Sequence, residues 1–236
     1  SPNNSIMLML YRMSGGMNGL HELPVGGVSG LINALRSSAE SQGVEIRTNT
    51  PVRRIAIDQG QEGLRATGVQ VDDGEQVAAR NIVSSADPKT TFLTLLGAEN
   101  LEIEFTNRIR RIRSQGLVAK LHLALNGLPT FTGLDRSDGQ LIISPDMATI
   151  ENAFDDSKYG QCPADPVMEI VIPSLHDPSL APDGQHVLSA QVMYVPYKMK
   201  NAWDSVAKDA FTDRLIDKIA LYAPAIREQI IASELL

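Results

Sequence analysis

The stretch from Leu23 to Ile55 constrains the fold more than any other part of this 236-residue chain. A Pro24-Val25-Gly26-Gly27 turn precedes Val28 to Gln42, where Leu31, Ile32, Leu35 and Ala39 recur at helical spacing and Asn33, Arg36, Ser37, Glu40 and Ser41 fall on the other side. That spacing predicts an amphipathic helix with one buried face. Gly43 stands where a left-handed residue ends such a helix. Val44 to Arg47 and Val52 to Asp58 then read as strands separated by Thr50-Pro51, because proline interrupts strand pairing.

Thr67 to Val71 and Glu75 to Val83 flank Asp72-Asp73-Gly74, a hairpin signal, since Asp-Gly tolerates the positive backbone angles of tight turns. These runs predict a small antiparallel meander that closes with Asn81 to Ala86 as a strand end. Asp87 as N-cap and Pro88 in the first turn open a helix to Leu96, and Leu101 to Arg113 is a second, with Phe105, Ile109 and Ile112 on one face. Val118 to Leu125 alternates, and Gln140 to Ser144, Val167 to Pro173 and His186 to Val195 are β-rich, which predicts a second, mostly antiparallel sheet. Helices are expected at Ala148 to Asp155, at Asp204 to Tyr222 and after Pro224. The fold class is α+β, with one lobe over 1–100 and another over 101–236. Ile6 to Met13 is apolar without a clean period, so strand and helix both stay open.

A net charge of −7 argues against a general nucleic-acid surface, which needs a positive field. The lone Cys162 forms no intrachain disulfide and no zinc site by itself, which fits a reducing, cytoplasmic-type compartment. No run is apolar and long enough to span a bilayer, and no signal peptide is seen. Ser1 is not a translation start, so a piece of a longer protein is expected, with an organelle matrix as the alternative location had a targeting sequence been removed. His21, His122, His176 and His186 lack metal-ligand spacing, so no metal is expected. Asp72-Asp73 and Asp155-Asp156 are adjacent pairs that point apart and make no acid/base couple. Arg108, Arg110, Arg111 and Arg113 are a solvated helix face, or else a surface for phosphates or an anionic membrane.

Gly26-Gly27 at a helix start is a tight turn or an anion site on exposed amides. The joined pattern goes further. Leu23, Pro24, Gly26, Gly27, Leu31, Leu35, Gly43, Glu45, Ile46, Thr50, Pro51, Val52 and Ile55, with Val83-Ser84-Ser85-Ala86-Asp87-Pro88, Pro129-x-Phe131, Pro173-Ser174-x-x-Asp177-Pro178, Tyr194-Val195-Pro196-Tyr197 and Ala202-Trp203, resemble the phytoene-desaturase-like flavoproteins. These belong to the FAD-dependent amine oxidase superfamily, and the likeness is to the branch of pyridine nucleotide-disulfide oxidoreductase domain-containing proteins. It covers nearly the whole chain. The family's Gly-x-Gly-x-x-Gly turn is missing, since Gly15-Gly16, Gly19, Gly26-Gly27 and Gly30 never fall at that spacing, and its closing glycine-rich segment is missing as well.

The resemblance implies that Gly26, Gly27, Val52 and Ala86 contact FAD, Val52 through its backbone amide and carbonyl at the adenine edge. It implies that Lys120, after Gly116-Leu117-Val118-Ala119, holds a water near flavin N5, although a lysine on an alternating strand also serves as its solvent-facing residue. Tyr194, Tyr197 and Trp203 are candidates to line a cavity for an apolar or conjugated substrate, with sheet-to-helix packing as the alternative. The implied function is the central, substrate-binding part of an FAD-dependent oxidoreductase that passes hydride from an apolar or amine-type substrate to the flavin. FAD is not expected to stay tightly on this chain alone, because the pyrophosphate cradle is missing. The alternative is a non-catalytic binding or assembly module. Self-association through a face left bare by truncation is a further expectation.

Overall fold

The structure is a computed structural model that describes residues 27–60 and 63–236. Ile6 to Met13, His21, the Pro24-Val25 turn and Gly26 lie outside the described residues. The chain is α+β, as its patterning predicts, and contains a three-stranded and a five-stranded antiparallel sheet. Its contacts separate a unit at Ala39–Ser114 from one that holds 27–38 and Gln115–Leu236.

Helix α1, Gly27–Ser41, forms where its periodicity places it and stops at Gly43, whose φ of 81° is a left-handed value that suits glycine. None of its residues is buried, and Leu31, Ile32 and Leu35 are each more than half exposed. Its apolar stripe therefore meets no covering element among the described residues. Val44 to Arg47, expected as a strand, is irregular. Arg47 there makes ion pairs with Glu45 (2.7 Å) and Glu75 (3.0 Å), and among the described residues no strand pairs with the segment.

Strands β1 (Val52–Gly60), β2 (Gly63–Val71) and β3 (Gln76–Ala78) form the meander in sequence order. The hairpin falls at Asp72-Asp73-Gly74, where the Gly74 amide donates to the Val71 carbonyl at 3.0 Å. Asn81 to Ala86 is irregular rather than the end of a strand, and β3 stops at Ala78. Asp87 caps the next helical segment by accepting from the Lys89 and Thr90 amides at 2.9 and 3.2 Å. That segment includes a π-helical run, Thr90–Leu95, and α2 (Ile103–Arg111) follows it. Ile55, Val71, Thr106 and Ile109 are buried in this unit, and Phe92 meets Phe105 edge to face with centroids 5.0 Å apart.

The larger sheet contains β4 (Val118–Leu125), β5 (Leu141–Ile143), β6 (Met168–Val171), β7 (His186–Met193) and β8 (Ile230–Leu235) in the order β5-β6-β7-β4-β8. Helices α3 (Met147–Lys158), α4 (Ser205–Ala220) and α5 (Ile226–Gln229) accompany it. Asp146 caps α3 by accepting from the Thr149 amide at 2.7 Å, and Asp204 caps α4 by accepting from the Ala207 amide at 2.9 Å. The expected final helix is only α5, because Ile230 onward pairs with β4 as β8.

Alternation on β4 sets which side of this sheet is covered. Ala119, Leu121, Leu123 and Leu125 are buried together with Met168, Ile170, Leu188, Ala190 and Val192 of the neighbouring strands. Phe211, Leu215, Ile216 and Ile219 of α4 close that core. Val118, Lys120, His122 and Ala124 point to the other side and keep solvent access. Cys162 packs beside the same core, with its sulfur 4.0 Å from that of Met199.

Two measurements check this arrangement. Leu123→Ala removes a fully buried side chain and is expected to lower stability by about 2–5 kcal/mol, whereas Ile142→Ala on the open side should change it by less than about 0.5 kcal/mol, as read by chemical denaturation. Desolvation raises the Cys162 thiol to about 11, so the reactive thiolate is scarce at neutral pH. Its alkylation by iodoacetamide should accelerate roughly tenfold per pH unit up to about 11, while an unfolded chain levels off near pH 8.5.

Candidate functional site

The sequence-derived residues fall into two groups, one in each unit. In the meander, Val52 opens β1, whose only ladder partner among the described residues is β2. Val71, directly opposite, donates its amide to the Glu75 carbonyl at 3.0 Å and accepts at its own carbonyl from the Gly74 amide at 3.0 Å. Both of its backbone groups are thus turned toward the hairpin. Val52 and Val71 therefore form a non-hydrogen-bonded pair, in which the Val52 N–H and C=O point to the open edge. A register shift between Val52 and Arg54 confines this geometry to the strand's start.

Ala86 is exposed in the irregular segment before the capped helix. Its amide donates to Ser84 Oγ at 3.3 Å, its carbonyl accepts from Thr91 Oγ1 at 3.3 Å, and the two hydroxyls are 2.8 Å apart. This small network fixes the loop backbone without using a side chain beyond Cβ at Ala86. Asp87 is held below the ordinary carboxylate range, chiefly by the Thr90 hydroxyl and amide, so it stays anionic as a cap. Gly27, which belongs not to this unit but to the one that holds Gln115–Leu236, is the first residue of α1, and its φ of 64° is left-handed, which a side chain would strain.

In the other unit, Lys120 is exposed on the side of the larger sheet opposite its leucine core. Its backbone exchanges hydrogen bonds with Leu236, at 3.0 Å from the Lys120 amide and 2.8 Å to its carbonyl. Across the ladder Lys120 faces Gln191 on β7, and Gln191 faces Glu169 on β6. Glu169 accepts a hydrogen bond from Gln140 Nε2 at 2.8 Å. Among the described residues no carboxylate lies within ion-pair distance of the Lys120 ammonium. In the next row His122 lies between Ser189 and Glu234.

Tyr197 and Trp203 come together as lining of one open cavity of about 490 Å³, with Val118, Ala119, Met199 and Leu236. Trp203 also meets Phe211 edge to face at 6.1 Å. Tyr194 is not with them. Its φ of 63° turns the chain at the end of β7, and its ring packs on Phe154 of α3 at 5.6 Å. Sequence reading missed Gln191, which the strand register places beside Lys120, and Glu169, which it places one strand further along the same row. It also missed the buried Ser174 hydroxyl, 3.1 Å from His186 Nδ1 and accepting from the Val187 amide at 3.1 Å. Among the described residues there is no cluster of His, Cys, Asp and Glu fit for a metal ion, and no helix is long and apolar enough to cross a membrane.

Residues 4–231 match the family model described as flavin-containing amine oxidoreductase. Over 250 aligned positions the chain is 32% identical to mouse (Mus musculus) pyridine nucleotide-disulfide oxidoreductase domain-containing protein 2, covering 100% of this chain and 42% of that protein. It is 31% identical to the chloroplastic prolycopene isomerase of Arabidopsis thaliana, over 78% of this chain and 28% of that one. A crystal structure of an oxidoreductase from Methanosarcina mazei shares the fold, with a TM-score of 0.63 at 18% identity over 98% of this chain and 46% of that one. The chain thus spans less than half the length of these relatives. Since the family match runs through nearly all of it, the chain belongs to the flavin-containing amine oxidoreductase family.

Proposed function

We propose that the chain is the substrate-side, central part of an FAD-dependent oxidoreductase in which an apolar or amine-type substrate gives up a hydride to flavin N5. The observation that carries this reading is Lys120: in a chain of a flavin-dependent family, its ammonium stands on an open sheet face with no carboxylate pair among the described residues.

The residues present fit the cofactor on a structural ground. Val52 offers an amide and a carbonyl at an unpaired strand edge, a donor and acceptor side by side that suit a purine edge. Ala86 offers a hydroxyl-braced backbone with no side chain beyond Cβ, and Gly27 opens α1 with a left-handed φ. Bound flavin supplies the two-electron chemistry itself. Lys120 holds a water by donating to it and places positive charge where an electron-rich acceptor develops. Tyr197 and Trp203 bind flat or apolar substrate in a cavity whose volume is usual for small-molecule sites. The Gly-x-Gly-x-x-Gly turn that grips a pyrophosphate is not in this sequence, so tight FAD retention requires further chain.

The test compares the full-length protein with this chain by flavin absorbance after loading with FAD. Flavin bands in the former and none in the latter support a site completed by further chain. In the full-length protein Lys120→Met is expected to leave the bands in place and slow flavin reduction on the order of 10². A full-length protein that stays colourless after loading overturns the reading in favour of a non-catalytic binding or assembly module, and unchanged reduction in Lys120→Met removes the role of Lys120.

A further inference from the structure

We propose that the outer face of α2, continued by Ile112 and Arg113, docks on the surface of an anionic lipid bilayer. From Phe105 to Leu134 the sequence holds Arg108, Arg110, Arg111, Arg113 and Lys120 and not one Asp or Glu, in a chain whose overall charge is −7. Four of those five charges lie within six residues at the end of one helix. All four arginines are exposed. Among the described residues none of them has a carboxylate within ion-pair distance, whereas Arg47, Arg53 and Arg54 of the same unit each have one. Arg65 and Arg80 of this unit are likewise without an ion pair among the described residues, so what sets these four apart is their spacing within six residues.

The helix is fixed from behind. Thr106 and Ile109 are buried, and Phe105 is held against Phe92, so the opposite arc is presented outward. At 3.6 residues per turn, Glu104, Asn107 and Arg111 lie along the middle of that arc, with Ile103, Arg108 and Arg110 toward its flanks. Asn107, Arg108 and Arg111 line a shallow hollow together with Glu104, its one acidic member. Ile103 is 69% exposed and Ile112 37% exposed, which puts apolar side chains beside the cations. Arginine stems lie along an acyl boundary while their guanidinium groups stay at the headgroups, and isoleucine adds burial there.

Two plainer accounts fall short. Cations in a last helical turn favour the macrodipole, but that effect fades within one turn and gives no reason for Arg113, which lies past the helix end. A single phosphate meets only the groups that converge on the hollow, leaving Arg110 and Arg113 unused. A bilayer surface, with many headgroups spread over an area, engages all four. The rest of the chain is net acidic, so its attraction to an anionic surface rests on this cluster.

The test is co-sedimentation of the 236-residue chain with vesicles of phosphatidylcholine alone and with one third phosphatidylserine. It needs no flavin and does not depend on the reaction. Binding is expected only to the phosphatidylserine vesicles and should fall steeply between about 0.05 and 0.5 M salt. Each arginine near such a surface is worth roughly fivefold, so Arg108→Gln with Arg111→Gln should lower partitioning about 25-fold. Arg108→Lys with Arg111→Lys should retain most of it, since the attraction is to charge rather than to a fixed fork geometry. Circular dichroism confirms that each variant is folded, as expected for exposed positions. Equal binding to neutral vesicles, no binding to either kind, or indifference to the glutamine variant overturns the proposal. So does displacement by millimolar inorganic phosphate, which marks a free-anion site, or preference for polyglutamate over vesicles, which marks an acidic protein partner.

Discussion

Alternation along β4 is the constraint on which the larger unit depends. Leu121, Leu123 and Leu125 are fully buried because the strand's even spacing turns them all toward α4. The same spacing forces Val118, Lys120, His122 and Ala124 outward. Lys120 cannot join the core without moving every leucine out of it, since a one-residue slip exchanges the two faces. The position of the one lysine with a chemical role in the proposed function is thus enforced by hydrophobic burial, not by any contact of the lysine itself.

The neighbouring strands carry this constraint sideways. β7 pairs residue for residue with β4 from Val118↔Met193 to Leu125↔His186, and β6 continues the register to Glu169 and Gln191. Lys120, Gln191 and Glu169 then fall in one row, although they are far apart in sequence. Gln191 stands between the two charges, and Glu169 takes a hydrogen bond from Gln140. Cross-strand neighbours lie within about 5 Å, so the ammonium and the carboxylate are two strand spacings apart rather than adjacent. The row keeps opposite charges on one face without joining them in a direct ion pair.

What could be read in the sequence followed from local chemistry. The Asp72-Asp73-Gly74 hairpin, the Asp87 cap and the long helix behind Asp204 each depend on groups a few residues apart, and each formed where expected. Features that depend on distant partners were illegible. Val44 to Arg47 has strand-like residues but no strand paired with it among the described residues, and charge pairing with Glu75 holds Arg47. Ile230 to Leu235 read as part of a helix because nothing nearby announces that β4, more than a hundred residues earlier, will supply its hydrogen bonds. At the site, the Lys120 side of the sheet was legible from alternation. The parting of Tyr194 from Tyr197 was not, because it rests on contacts with Phe154 and with the Trp203 cavity that lie far off in sequence or on another element.

Helix α1 shows the same division between local and distant causes from the other side. Its sequence makes a helix with a stripe of Leu31, Ile32 and Leu35, and the structure makes that helix, yet the stripe lies exposed. Periodicity reports that a face is meant for burial and says nothing about what buries it. Exposed apolar area of this kind is a cost in water and marks a contact. The arginines of α2 are the electrostatic counterpart: unlike α1, their helix has a buried inner face that turns them outward, and they lack a neutralising neighbour among the described residues. In both helices a well-packed or well-patterned inner logic fixes what is displayed, and the displayed surface is what carries information about partners. The two displays differ in kind: an aliphatic stripe suits protein packing, whereas spread guanidinium groups beside isoleucine suit a charged interface.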